Sequence, residues 1–344
     1  MFATDFVHLH VHSEYSLLDG CCRIGQLVDK AYNNGQKAVA ITDHGVMYGA
    51  IEFYKKAIKK GIKPIIGCEV YVAPRKRTDK LKGPDSEYTH LVLICKNNTG
   101  YQNLIKMVSL SFTEGFYNKP RIDKELLEKY HDGLIASSAC LAGEIPRALL
   151  NGDFEAAASS ALYFKELFGK DNFYLELQDH GLAEQKRINP FLIKLSKQLD
   201  IPLIATNDAH YINKEDSLMH KVLLCIQTGT KITEKLPLEF KTDEFYLKST
   251  EEMAELFKEV PEAISNTVKI ADMCNVSFEF GKIKLPYFDT GDEDHFEFFK
   301  RKCFEGMYRI YGQNPEKQVT DRLNYELSVI NNMGYTDYYL IVWD

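Results

Sequence analysis

Three histidines occupy alternate positions in Val7-His8-Leu9-His10-Val11-His12, and Asp19-Gly20 follows shortly after. Alternate residues of a strand share a face, so an extended segment here would project three imidazoles to one side and Val7, Leu9 and Val11 to the other. Crowding three imidazoles together is costly unless a cation pairs with their neutral nitrogens. A metal site at the mouth of a barrel or sheet meets that need. The plainer alternative is a solvated strand face with its apolar side buried.

Beyond this segment, β-branched apolar runs alternate with amphipathic stretches. Strand-like runs are Phe6–His12, Lys37–Thr42, Pro64–Ala73, His90–Cys95, Gly133–Ser138, Phe173–Leu177 and Pro202–Thr206. Helical periodicity covers Ile24–Asn34, Tyr48–Lys60, Tyr101–Ser111, Phe154–Phe168 and Ala183–Leu199, with Asp153 placed as an N-cap and Gly169 just past a C-terminus. Repeated β-α alternation predicts parallel strands with right-handed crossovers, closed or nearly closed into a barrel with functional residues at the strand C-termini. The stretch between Ala73 and His90 has two prolines and no apolar period. A parallel crossover needs a helix, so this basic loop predicts antiparallel neighbours. Its Arg75, Lys76, Arg77, Lys80 and Lys82 either touch phosphates or are simply solvated. From about Glu251 the rhythm becomes helical. The expected division is residues 1–275 as a barrel domain and 276–344 as a linker, including Leu285–Gly291, followed by helices. The apolar positions Leu323, Leu327, Ile330, Tyr338, Leu340, Ile341 and Trp343 are expected to face partners outside the chain.

The net charge of −7 over 344 residues gives no argument for nucleic acid or an anionic membrane, although bound metal ions would add positive charge that the total omits. Eight scattered cysteines without a CxxC form neither a disulfide framework nor a zinc ribbon and fit a reducing, cytoplasmic setting. No basic-then-apolar leader and no membrane-length apolar run is present, so no membrane partner is expected.

Ligand-capable residues recur where the runs end. Thr42-Asp43-His44-Gly45 closes the second run, Gly67-Cys68-Glu69 lies in the third, His90 opens the fourth, Cys140 follows the fifth and Asn207-Asp208-Ala209-His210 closes the last. Imidazole, carboxylate and thiolate together suit zinc, manganese or iron better than magnesium. His90 joins the others only if its strand runs antiparallel. Each residue also has an ordinary reading: Glu69 in a salt bridge, Cys140 as a small buried hydrophobe, Asp43 and Asp208 as helix caps, His44 and His210 as core histidines. Those readings do not account for the clustering at element ends. His131, His220 and His295 lack that placement and are read as surface or core residues, while His180 ends a strand and is a candidate for substrate contact, its role left open.

The strings HLHVHSEYSLLDG (8–20), AITDHGVMYG (40–49), FYLELQDHG (173–181) and TNDAHY (206–211) resemble the polymerase and histidinol phosphatase (PHP) superfamily, and within it the N-terminal part of the alpha subunits of bacterial DNA polymerase III, the C-family polymerases. The ending, Glu326–Ile330 through Gly334–Asp344, resembles the start of their palm. The resemblance implies an α/β fold, a distorted seven-stranded (β/α) barrel of PHP type followed by a mainly helical segment. It implies a ligand set matched here by His10, His12, Asp19, His44, Glu69, His90, Cys140, Asp208 and His210. His8 stands where many superfamily members carry aspartate. Such a set is too large for one ion and suits two or three, with zinc first and manganese or iron as alternatives.

The chemistry then expected is metal-assisted, in-line phosphoester hydrolysis with Glu69, Asp208 and His12 as the catalytic residues, Glu69 bridging the metals and Asp43 orienting a ligand. In a polymerase the fitting substrate is the 3′ end of a DNA primer, which makes the barrel a 3′→5′ proofreading exonuclease. The alternatives are a metal-stabilised scaffold and a small-molecule phosphatase. Expected partners are DNA, the rest of the polymerase chain, the sliding clamp and a proofreading subunit. The full-length protein is expected to be a DNA-directed DNA polymerase; residues 289–344 have no closely spaced Asp-x-Asp on a strand, since the acidic Gly291–Asp294 stretch reads as a solvated helix start, so this segment alone should not polymerise. Arg121 is either a phosphate grip or, more simply, half of a surface ion pair.

Overall fold

The apolar runs form strands largely as their pattern predicts. The computed structural model describes residues 5–234, 240–282 and 286–344, so Leu285 of the expected linker lies outside the described residues. The strands are β1 (Ala38–Ile41), β2 (Lys63–Val72), β3 (Thr89–Cys95), β4 (Arg121–Ile122), β5 (Leu134–Ser137), β6 (Phe173–Leu177) and β7 (Leu203–Ala205). They run in the order β1-β2-β3-β5-β6-β7, with β4 paired to β2. All pairings are parallel except those of β3, which is antiparallel to both β2 and β5. The helix-free loop before His90 therefore does what its composition predicts: it reverses the chain and places the start of β3 beside the ends of its neighbours.

The first run behaves differently from expectation. Residues 7–12 form isolated parallel bridges, His8 to Val39 on one side and Val11 to Ala209 on the other. The segment thus joins β1 to the chain just beyond β7 and closes the ring, but it is not a regular strand. Val7 and Leu9 enter the same buried cluster as Ala40, Ile65, Val92, Ile94, Ile135, Tyr174 and Ile204. Cross-strand register puts these residues on one face with Glu69, Ser137 and Glu176. His10 reaches that same face, since its ring meets Glu69 and Glu176. Two consecutive inward residues, Leu9 and His10, mean that the pleat changes phase between the bridges. The single three-imidazole face is not formed: His8 turns away and bonds the Lys248 carbonyl at 2.8 Å.

The barrel interior is therefore layered. Its apolar layer is joined by Ile270 and Ala271 of the helix Pro261–Met273. Each fully buried Val, Leu or Ile contributes roughly 1.5–3 kcal/mol, so this layer rather than the polar rim carries the fold. Short helices at Lys124–Tyr130, Glu144–Leu150 and Ser217–Thr228 escape the periodicity reading. Asp153 and Gly169 bound their helix as expected, with the Asp153 carboxylate accepting from the Ala156 amide.

The sequence reading of Arg121 is corrected. Its side chain is fully buried and donates to the carbonyls of Arg77, Asp79, Asp85 and Gly115. Arg75 pairs with Asp85 and Arg77 with Asp123, so the loop 74–88 is folded around these three arginines. A guanidinium suits the task because its five donors fork towards several acceptors at once.

The chain divides into two compact units, Met1–Ser277 and Phe278–Asp344. The second contains helices His295–Tyr311, Lys317–Asn332 and Thr336–Trp343, packed on a small core of Phe299, Leu327 and Leu340. Leu327 and Leu340 thus face inward, while Tyr338 and Trp343 are exposed. The Asp294 carboxylate caps the first helix by accepting from the Phe296 and Glu297 amides. Among the described residues no helix is long and apolar enough to cross a membrane.

Candidate metal centre

Above the apolar layer, at the carboxyl ends of β1, β2, β5, β6 and β7, the inward positions become polar. All nine residues singled out in the sequence meet there. Glu69 is central. Its Oε1 lies 3.3 Å from His10 Nε2, 2.9 Å from His90 Nδ1 and 3.7 Å from Cys140 Sγ. Its Oε2 lies 2.7 Å from His44 Nδ1 and 3.6 Å from His12 Nε2. Asp208 Oδ1 stands 3.3 Å from His10 Nε2 and 3.0 Å from His12 Nε2. Asp19 Oδ2 stands 3.1 Å from His44 Nε2, and its Oδ1 is 3.8 Å from His210 Nε2. Three overlapping groups result, His12/His44/His210, His10/His12/Asp208 and His44/Glu69/His90, each with its donor atoms within 4.8 Å of one another.

Local structure fixes these positions. Gly20 has no Cβ, and one there would lie 2.1 Å from the Ser13 carbonyl oxygen, so only glycine lets the Asp19 loop close against the first segment. Asp208 holds φ at 43° and Ala139, just before Cys140, at 58°. Left-handed backbone is uncommon for non-glycine residues and collects at functional sites. Asn207 anchors the Asp208 turn by donating to the carbonyls of Glu244 and Tyr246.

Outer hydrogen bonds set the histidine tautomers. His10 Nδ1–H donates to Glu176 Oε1 at 2.7 Å, and His210 Nδ1–H donates to the Asp208 carbonyl at 2.7 Å. Ser16 gives its own proton to Asp43 Oδ1 at 2.7 Å, so its Oγ accepts from His12 Nδ1–H at 3.1 Å. Asp43 also accepts from the amide and hydroxyl of Ser13, so its carboxylate is taken up by the Ser13–Ser16 turn. In all three histidines Nε2 is the nitrogen left to face the carboxylates. This is the arrangement that prepares imidazole for a metal.

The donor set fits metal ions on independent grounds. Nε2 of His10 and His12, Nδ1 of His44, Oε2 of Glu69, and Oδ1 of Asp19 and Asp208 are buried without a hydrogen-bond partner among the described residues. Orphaned buried polar atoms are costly and rare, and a shared cation would satisfy six of them in one cluster. The electrostatics agree. Burial pushes the Glu69 carboxyl up, but His90, His10 and His44 outweigh it and hold it well below the usual range. Burial pushes the Cys140 thiol well above its ordinary value, and Glu69 and Asp208 push it further. Burial lowers His210 to about 3, with His12 adding to the effect. A divalent cation reverses the Cys140 direction and keeps the other two, since it favours neutral imidazole, carboxylate and thiolate together.

A cleft of about 1000 Å³ opens over the centre, lined by Asp19, His44, His90 and Asp208 and also by Tyr71, Tyr88, Lys119 and Arg147. Lys119 Nζ lies 5.4 Å from the Tyr71 ring centre, and Tyr88 lies nearly parallel to His90 at an interplanar angle of 8°.

Three residues near the centre have contacts that the sequence left unassigned. His180 is buried, donates from Nε2 to the Asn207 carbonyl at 2.9 Å and accepts from Gln185 at 2.7 Å, so it supports the Asp208 turn and cannot touch substrate. Glu176 lies within the FYLELQDHG string but was assigned no role, although a lone carboxylate within a buried strand was a usable signal. His220 is buried with its Nε2 3.5 Å from Asp19 Oδ1, and nothing in its helical surroundings marked it.

Comparison with known proteins agrees with this architecture. Residues 297–344 match the profile described as the bacterial DNA polymerase III alpha NTPase domain. DNA polymerase III subunit alpha of Borreliella burgdorferi is 47% identical over 347 aligned residues, covering 100% of this chain and 30% of that protein. The Treponema pallidum subunit is 46% identical, with the same two coverages. The Campylobacter jejuni subunit is 40% identical over 99% of this chain and 31% of its own length. The chain thus spans about 30% of the curated relatives it matches. Residues 8–180, half of the chain and most of the strands that build the centre, match the profile of the PHP domain, and the chain belongs to that family.

Proposed function

We propose that this chain is part of a DNA polymerase III alpha subunit and that its barrel is a metal-dependent phosphoesterase trimming the 3′ end of DNA. The convergence of nine ligand-type side chains on a cluster of orphaned buried donors supports this reading most directly. Bound zinc, or manganese or iron, would polarise a phosphoryl oxygen and lower the pKa of a water. His10, His12, Asp19, His44, Glu69, His90, Cys140, Asp208 and His210 would hold two or three such ions, with Glu69 shared between them because its two oxygens face different histidines. The remaining work belongs to the chain. Glu176, Ser16 with Asp43, and the Asp208 carbonyl keep the imidazoles in one tautomer and one orientation. Lys119 and Arg147 line the cleft and place positive charge where a phosphate backbone would pass, while the half-buried Tyr88 offers a ring to an unpaired base. The whole polymerase would supply templated synthesis, the contacts to replisome partners and a cytoplasmic setting.

The test is hydrolysis of 5′-labelled single-stranded DNA by metal-loaded chain, with Asp208→Asn as control. Stepwise shortening from the 3′ end, lost in the variant, is the expected result. Hydrolysis of small phosphoesters but not DNA would favour the phosphatase, and bound metal without hydrolysis of either would favour the scaffold.

A further inference from the structure

We infer that His220 is an additional metal-binding residue, on the Asp19 side of the centre, outside the nine-residue set. The inference rests on the metal-centre reading above and extends it to a helix that no strand-end motif reaches. His220 is carried by the helix Ser217–Thr228 and is buried. Its Nε2 and Asp19 Oδ1 are both without a hydrogen-bond partner among the described residues, and they lie 3.5 Å apart. That is beyond the usual 2.7–3.2 Å range of an N–H···O bond. It matches two donors on one tetrahedral ion: with bonds of about 2.0–2.2 Å, such donors sit about 3.4 Å apart. A similar spacing recurs within the nine-residue set, at 3.3 Å for His10 Nε2 and Asp208 Oδ1 and 3.3 Å for His10 Nε2 and Glu69 Oε1.

The surroundings leave His220 little else to do. Phe240 packs edge-on against His220 at 4.6 Å and against His210 at 4.7 Å, so one ring walls both imidazoles. The two imidazole rings are 5.5 Å apart. Asp19 already meets His44 through Oδ2, which leaves Oδ1 facing His220 at 3.5 Å and His210 at 3.8 Å. A carboxylate oxygen and two imidazole nitrogens around a space walled by an aromatic ring make a site for a borderline divalent cation such as zinc, cobalt or manganese.

The experiment is a Co²⁺ titration of the whole chain, followed by ligand-field absorption and by competition with a chelator. His220→Ala and His220→Gln are compared with the unaltered chain, and circular dichroism of the metal-free forms reports folding. Glutamine keeps an N–H donor for Asp19 but is a poor ligand, so it separates ligation from simple hydrogen bonding and stands in if the alanine variant fails to fold. Both variants should weaken Co²⁺ binding at least about tenfold and change the absorption bands. A glutamine variant with unaltered affinity and spectrum would overturn the inference while leaving the centre intact. Failure of the unaltered chain to bind Co²⁺ would overturn the centre and His220 with it.

Discussion

Glu176 accepts a hydrogen bond from His10 Nδ1 at 2.7 Å, and the same carboxylate is also bonded by Gln178, Thr206 and Ser137. The bond holds the ring in one orientation, with Nε2 turned to Glu69 and Asp208. Replacing Glu176 by Gln weakens the acceptor and disturbs the network without opening a cavity. Metal affinity should fall about 10- to 100-fold, as measured by chelator competition. Unchanged affinity would show that His10 does not depend on this bond.

His12→Ala and Asp208→Asn each remove a central donor while leaving the apolar layer of the barrel untouched. DNA hydrolysis should drop by at least about a hundredfold, with little change in the melting temperature of the metal-free protein. A variant with full activity would exclude that residue from catalysis. Loss of folding would indicate a structural role for the metals.

Arg121 holds the loop before β3 through four carbonyls. Arg121→Lys cannot reproduce the fork and leaves buried acceptors unpaired, at a cost of about 3 kcal/mol or more. Limited proteolysis should cut between residues 77 and 87 in the variant and spare the unaltered chain. Equal resistance would mean that Arg75 and Arg77 suffice to hold the loop.

His180 has its donor and acceptor both matched in the neutral form, and burial lowers it to about 4. Its unfolded value is about 6.5, so between these pH values the unfolded chain binds the extra proton. Stability is then fully present above about pH 6.5 and falls as pH drops towards 4, by up to about 1.4 kcal/mol per unit from this group. Urea unfolding of metal-free protein at pH 7 and pH 5 measures the slope. His180→Gln should flatten it, and an identical slope in the variant would assign the effect to other groups.

Much of the centre was legible because its residues sit in short strings at strand ends: Thr42–Gly45, Gly67–Glu69 and Asn207–His210. A period of two and a stop signal suffice to place such residues on one rim. Even the reversal of β3 could be read, since a proline-broken loop without helical period does not make a parallel crossover. The alternation at His8, His10 and His12 was misleading. Periodicity describes a regular strand, and this segment is pinned at two bridges to different neighbours, which shifts its pleat midway.

The sequence by itself determined the apolar layer, the β-α rhythm and the chemical character of the rim, because each depends on local pattern and residue type. Only the tertiary structure decided the rest. It drew Arg121 inward to serve carbonyls from a distant loop, closed the Asn207–Asp208 turn over His180, and brought His220 from a separate helix to Asp19. Those relationships join residues far apart in the chain, and they are set by where packed elements meet, which no local period encodes.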